Sequence, residues 1–179
     1  MKIIFPVMGA ENISVAVMAT LCKDLGHSVK VAFDRALFDD KQYFSIDFLA
    51  NLFDKKQQVI EEIIKEKPDV LALSVFSDNY QWSLDLVRRV KEKHKNFVNV
   101  WGGIHPTSVP AEVIKEDAVD FVIEGDGELP MTKLLHALEN GKVFEDVPNL
   151  WFKRDGEIFS GKHTYLNEEG SFPVPDKNV

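Results

Sequence analysis

An open, doubly wound α/β sheet is predicted, with five parallel strands in the order 2-1-3-4-5 and a β-hairpin after them. Three observations lead to this fold. Short apolar runs of strand length alternate with stretches of helical periodicity, five of each, which is the pattern of a parallel sheet with right-handed crossovers. Asp69 to Val75 is almost continuously apolar, as in a strand covered on both faces. Val98-Asn99-Val100-Trp101 runs straight into Gly102-Gly103, then Pro106 and Thr107, the punctuation of a strand that opens into a loop and then a helix. In such sheets ligands bind at the carboxyl ends of the strands, and order 2-1-3-4-5 suits a five-strand count.

The bulk numbers fit one domain. The chain has 179 residues, 45% hydrophobic and 28% charged, enough to build a core. Acidic residues number 29 against 21 basic, a net charge of -8, so nothing resembles a footprint for a nucleic-acid backbone. No apolar stretch reaches the ~18 residues of a membrane span, and the start reads as a strand, not a signal peptide. The single cysteine, Cys22, excludes an internal disulfide, a thiolate zinc cluster and an iron–sulfur cluster held by three or four thiolates. A cytoplasmic location is expected from this.

Strand one is Lys2 to Val7, with Pro6 at its end where a missing N–H is tolerable. Ile13, Val17, Leu21 and Leu25 recur every four residues as a helical stripe, and Gly26 suits its C-terminus. Cys22 within that helix reads as a packed thiol. Ser28 to Phe33 alternates as strand two. The 34–53 stretch is rich in Phe and Leu and long for a connection; it packs on the core or faces a ligand or another domain. Asp54 and Gln57 form a capping box for a helix carrying Val59, Ile60, Ile63 and Ile64, which stops before Pro68. Strand three follows. Asp78 caps a helix striped by Trp82, Leu86 and Val90. Strand four is Phe97–Trp101; Asn99 inside it needs a partner. Pro106 keeps the preceding residue extended, and Thr107 or Ser108 caps a short helix marked by Val109, Val113 and Ile114. Val119 to Ile123 is strand five. Met131, Leu134, Leu135 and Leu138 stripe the last helix, closing near Gly141. Asp155-Gly156 between two short apolar runs signals the hairpin. From Leu166 the composition becomes that of a linker.

The strand ends decide the chemistry. His27 and His94 sit at helix ends, His136 beside an apolar stripe and His163 in the tail; only His105 lies at a ligand-facing strand end. Glu124, Asp126 and Glu128 are candidates for Mg²⁺, but acids in a glycine-rich turn before a helix also serve the helix N-terminus. A phospho-acceptor receiver would need acids after strand one and an Asp after strand three, where this chain has Met8-Gly9 and Ser74-Val75-Phe76. A G-x-G-x-x-G fingerprint is absent after strand one. What remains is a broad, neutral edge of Met8-Gly9, Ser74-Val75-Phe76 with Tyr80, Gly102-Gly103 and Gly125-x-Gly127. It suits a large, flat, amide-rich ligand better than a compact anion.

These residues resemble a known family. Ser74-x-Phe76 followed by Gly102-Gly103 is similar to the S-x-L…G-G elements of cobalamin (vitamin B12)-binding α/β domains, a Rossmann- or flavodoxin-like fold. Gly102-Gly103-Ile104-His105-Pro106-Thr107 with Val119 to Glu128 resembles the N-terminal version found in B12-dependent radical SAM enzymes. The hairpin and Phe172-Pro173-x-Pro175-Asp176 resemble that family's bridge into its catalytic barrel.

The resemblance implies a cobalamin-binding domain over 1–145, a hairpin extension over 146–165 and a linker over 166–179 towards a C-terminal radical SAM domain outside this chain. That domain would hold a [4Fe-4S] cluster and S-adenosylmethionine, because the C-x-x-x-C-x-x-C motif cannot exist with Cys22 alone. The mutase type carries D-x-H-x-x-G after strand one; here Pro6 to Glu11 has no histidine. The implied cobalamin is base-off with no protein histidine on cobalt, serving methyl transfer or a related radical reaction, and this chain alone supplies no catalytic residue. Carried over by position, Ser74, Val75, Phe76 and Tyr80 line one side of a slot for the cofactor's nucleotide tail. Gly102 and Gly103 let the tail pass, Ile104 and His105 touch the corrin rim, Glu124, Gly125, Asp126 and Gly127 form the far wall, and Met8 and Gly9 lie under the corrin. Two other readings stay open: a flavodoxin-like small-molecule sensor or interaction module without B12, and a stand-alone corrinoid carrier.

Overall fold

The computed structural model describes residues 1–9, 12–35, 39–40, 44–45, 56–141 and 144–164. Strand β1 (Lys2–Met8) leads to α1 (Ile13–Asp24) and β2 (Ser28–Asp34). A two-residue antiparallel pair follows, β3 (Asp39–Asp40) with β4 (Phe44–Ser45). Then come α2 (Lys56–Glu66), β5 (Val70–Ser74), α3 (Tyr80–Lys93), β6 (Val98–Gly102), α4 (Ile104–Ser108), α5 (Pro110–Val113), β7 (Phe121–Ile123) and α6 (Glu128–Asn140). A 3-10 turn (Phe144–Asp146) precedes the hairpin β8 (Leu150–Arg154) and β9 (Glu157–Ser160). Asp54, most of the aromatic-rich 34–53 stretch and the 166–179 segment lie outside the described residues.

The main sheet has the order β2-β1-β5-β6-β7-β8-β9. Its five parallel strands follow the expected 2-1-3-4-5 order, and the hairpin continues the same sheet antiparallel to β7. Strand alternation divides the core in two. Leu71, Leu73, Trp101 and Val122 face α2 and α3. Ile3, Phe5, Val70, Ala72, Val100 and Ile123 face α1 and α6. β5 is buried along Val70 to Leu73, as its unbroken apolar run requires. Asn99 finds its partners within the core: Nδ2 donates to the Ala118 carbonyl at 2.5 Å and Oδ1 accepts from Trp101 Nε1 at 2.8 Å.

Four local expectations are corrected. The buried face of α1 is Val15, Ala19, Thr20 and Cys22, while Ile13 is 77% exposed and Leu25 41%. The four-residue stripe therefore lies off the core. Asn12, not a residue of that stripe, starts the helix, its Oδ1 accepting from Val15 N at 3.3 Å. α3 begins after Asn79, not Asp78, and the Asn79 side chain reaches back into the loop, accepting from Phe76 N at 2.8 Å. His105 is helical despite preceding Pro106, because a proline in the first turn lacks an N–H that has no helical partner there. Pro110 then cannot continue α4, so the chain breaks at Val109 (φ -140°, ψ 54°) and restarts with Pro110 first in α5.

Candidate functional site

The switch point of the winding lies between β1 and β5, whose connections leave in opposite directions. Their pairing stops at Ile3↔Val70 and Ile4↔Leu71, whereas β5 and β6 stay paired to Ser74↔Gly102. Asn12 bridges the gap at the switch point: besides capping α1, its Nδ2 donates to Ser74 Oγ at 3.1 Å.

Beside this gap, under α1, is a cavity of about 300 Å³. Its floor is made by alternation: Ala72, Ser74 and Gly102 all fall on the α1/α6 side and are all small. Val17 and Met18 of α1 form one wall, and Gly125 to Glu128 another. Among the described residues, no lysine, arginine or histidine lines it. Ile13 at the start of α1 and Ile104 at the start of α4 are 77% and 66% exposed, the two most exposed large apolar side chains among the described residues. Both begin helices at the carboxyl edge of the sheet, so this edge carries an apolar rim.

The two glycines do different work. Gly102 faces the cavity, and a Cβ there would meet nothing nearer than the Ile123 carbonyl at 3.9 Å. Gly103 has φ +100°, and a Cβ would lie 2.8 Å from both N and O of Val75. Its bareness lets backbone pack on backbone, with Val75 N donating to Gly102 O at 2.8 Å and His105 N to Val75 O at 3.1 Å. The acidic loop is also divided. Glu124 turns away from the cavity, accepting from Trp151 Nε1 at 2.8 Å with His163 Nδ1 at 3.7 Å. Gly125 (φ +76°) donates its N–H to Thr107 Oγ1 at 2.9 Å, so Thr107 ties α4 to the loop and caps nothing. Glu128, first residue of α6, encloses its Oε2 completely without a hydrogen-bond partner.

Of the residues expected at the site, the cavity gathers Ser74, Gly102, Gly103, Gly125, Asp126 and Gly127. Met8, Gly9, Val75, Phe76, Tyr80, Ile104, His105 and Glu124 do not line it. Val75 is fully buried on the α2/α3 side. Tyr80 lies on that side too, edge-on to Trp101 and 4.5 Å from the His105 ring, its hydroxyl donating to Glu116 at 3.3 Å. Burial, and then the Glu116 charge, push its hydroxyl pKa up. His105 Nδ1 is 3.1 Å from Ser77 Oγ. Sequence reasoning missed Asn12, Met18 and Ala72, and weighed Glu128 only as a Mg²⁺ candidate. The signal for Ala72 was present: small residues at alternate positions of a strand otherwise built of Val and Leu. Cys22 is buried with its thiol pushed up to about 12 by desolvation, as a packed thiol should be. Among the described residues, no group of three or more His, Cys, Asp or Glu converges as a metal set, and no helix is long and apolar enough to cross a membrane.

A doubly wound sheet with a small-residue slot at its switch point defines a class of cofactor-binding domain, and the comparisons say which. Residues 9–135 match the B12 binding domain family model, and the chain belongs to that family. An uncharacterised methyltransferase of Pyrococcus horikoshii is 28% identical over 160 residues, 88% of this chain and 34% of that protein. The anaerobic magnesium-protoporphyrin IX monomethyl ester cyclase of Synechocystis is 29% identical over 104 residues, 56% of this chain and 21% of that protein. Among solved structures, the cobalamin-dependent S-adenosylmethionine radical enzyme OxsB, with aqua-cobalamin and S-adenosylmethionine bound, superposes with a TM-score of 0.74 at 13% identity, over 97% of this chain and 24% of that one. The chain thus spans about a third or less of the length of these relatives.

Proposed function

We propose that this chain holds cobalamin for a B12-dependent radical SAM enzyme whose catalytic half lies outside the sequence, and that it holds it base-off. The carrying observation is the small-residue slot at the switch point, Ala72, Ser74 and Gly102 under Met18, in a chain of the B12-binding family. A narrow slot with an apolar rim suits a ligand with one thin arm and one broad flat face. In this reading the nucleotide arm enters the slot and the corrin rests over Ile13 and Ile104. Ser74 offers its hydroxyl at the slot, positioned by Asn12. Asp126 and Gly127 edge the slot. The Gly125 N–H is already engaged, so Gly125 shapes the wall without binding, and the Glu124 carboxylate is held outside the slot by Trp151. His105 and Tyr80 sit beyond the slot and contribute at most to the rim.

The base-off state rests on the strand-one end, which presents Met8 and Gly9 where a mutase-type domain places histidine. Bound without a histidine on its lower face, the cofactor supplies methyl-transfer chemistry. The methyltransferase and radical enzyme among the relatives support this direction. The boundaries 1–145, 146–165 and 166–179 are part of the proposal.

The test is a UV–visible titration of the purified chain with hydroxocobalamin, followed by desalting. Retained colour with a spectrum free of nitrogen coordination is the expected result. Retention with nitrogen coordination, from the cofactor's own base or from His105, would keep cobalamin and overturn the base-off state, and loss of all colour at saturating cofactor would overturn the proposal for this chain.

A further inference from the structure

We infer that Asn12 is a positioning residue that makes the Ser74 hydroxyl a dedicated hydrogen-bond donor to the slot. The inference rests on the cobalamin reading and deepens it: the slot takes an acceptor atom of the nucleotide arm. Asn12 is engaged at both ends of its amide. Its Oδ1 accepts from Val15 N at 3.3 Å, and its Nδ2 donates to Ser74 Oγ at 3.1 Å. The Val15 N–H can only donate, so it holds the amide oxygen towards α1 and turns the nitrogen towards Ser74. An amide nitrogen also can only donate, so Ser74 Oγ accepts and its own proton points elsewhere. Among the described residues nothing else bonds Ser74 Oγ, and Ser74 lines the cavity. The proton is left for an acceptor that arrives in the slot.

Capping α1 is the ordinary reason for an asparagine before a helix. That role needs only an acceptor, and aspartate or serine fills it as well. Among the common caps, asparagine has an acceptor for the helix and, on a separate atom, a donor for a second partner. Aspartate in the same place would do the reverse. It is acceptor-only, so it would draw the Ser74 proton back to itself and leave the slot facing lone pairs. The main chain of Ser74 is held independently of Asn12. Asn79 Nδ2 donates to the Ser74 carbonyl at 3.4 Å, and β5 stays paired with β6 as far as Ser74↔Gly102. Asn12 therefore sets the direction of one hydroxyl, across the gap between β1 and β5, without being the support of the strand end.

The test is a double-mutant cycle on the purified chain, read with two corrinoids, hydroxocobalamin and aquocobinamide, which lacks the nucleotide arm. Wild-type chain is expected to prefer hydroxocobalamin. Asn12→Asp and Ser74→Ala are each expected to weaken hydroxocobalamin about tenfold, the loss of one hydrogen bond, and to leave aquocobinamide unchanged. In the Ser74→Ala background, Asn12→Asp is expected to change hydroxocobalamin affinity by less than about twofold, because no hydroxyl remains to be turned. Asn12→Ser, which caps without charge and is too short to reach Ser74, is expected to cost about threefold alone and nothing in the Ser74→Ala background. The ligand-free Asn12→Asp chain should melt within a few degrees of wild type, since aspartate caps as well. An equal loss from Asn12→Asp and Asn12→Ser with and without the Ser74 hydroxyl would show that Asn12 acts only by shaping α1, and would overturn the inference. Unchanged hydroxocobalamin affinity in Asn12→Asp, with Ser74→Ala weakened, would overturn it while leaving Ser74 in the slot. A wild-type chain that binds the two corrinoids equally would remove the arm-in-slot reading itself, and the inference with it.

Discussion

Gly102 and Gly103 are neighbours with opposite obligations. Gly102 has an ordinary backbone conformation and faces open space in the cavity. Gly102→Val is therefore expected to fill the slot, cutting hydroxocobalamin retention at least tenfold while shifting the thermal midpoint by no more than a few degrees. Gly103→Val forces a Cβ into the Val75 backbone at a left-handed φ, and it is expected to lower stability by roughly 2–4 kcal/mol. Parallel retention assays and melts separate the two. Equal effects of both variants on stability would mean that Gly102 also supports the fold. The sequence pair reads as a turn that admits a ligand; only the Ser74↔Gly102 register shows which glycine looks into the cavity.

At the scale of elements, α1 is the instructive case. Its residues in contact with the sheet, Val15, Ala19 and Cys22, are small, so the helix lies close to β1 without a stripe of large side chains. The large residues Ile13 and Val17 sit on the cavity side. A periodicity rule assigns large apolar groups to the core, and here half of that stripe serves the binding edge instead. Ile13→Asp is expected to change stability by less than about 0.5 kcal/mol, as for an exposed position, yet to weaken cofactor retention severalfold. A clear loss of stability would place Ile13 in the fold after all. Strand β5 and the strand order were legible, because burial on both faces forbids alternation and short parallel connections restrict topology. The cavity was not legible, because it depends on which small residues from two neighbouring strands align. The split of α4 from α5 was hidden behind two prolines, each readable alone as a helix start.

In the whole molecule, the acidic loop, the hairpin and the departing chain are joined at Asn149. Its carbonyl accepts from Glu124 N at 2.9 Å. Its side chain exchanges two bonds with Thr164, Nδ2 to O and N to Oδ1, both 2.7 Å. It holds φ +55°, which asparagine tolerates better than most residues. Asn149→Ala removes both side-chain bonds, and a loss of about 1–3 kcal/mol is expected in urea denaturation. Faster limited proteolysis beyond residue 164 should accompany it. An unchanged urea midpoint would mean that the reciprocal bonds add nothing to the folded state.

The hairpin has a consequence for how copies of the chain meet one another. β7 is only three residues long and fully buried, Phe121, Val122 and Ile123. Left at the rim, its bare amides and carbonyls would template the growth of a foreign strand. β8 covers that rim, and β9 becomes the border in its place, with Glu157 and Ser160 exposed and Arg154 just before the turn. A margin of only four residues, with Glu157 and Ser160 flanking Ile158 and Phe159, offers little length for pairing. The hairpin thus works as a selvedge: it finishes the cloth where the parallel weave would otherwise unravel into its neighbour.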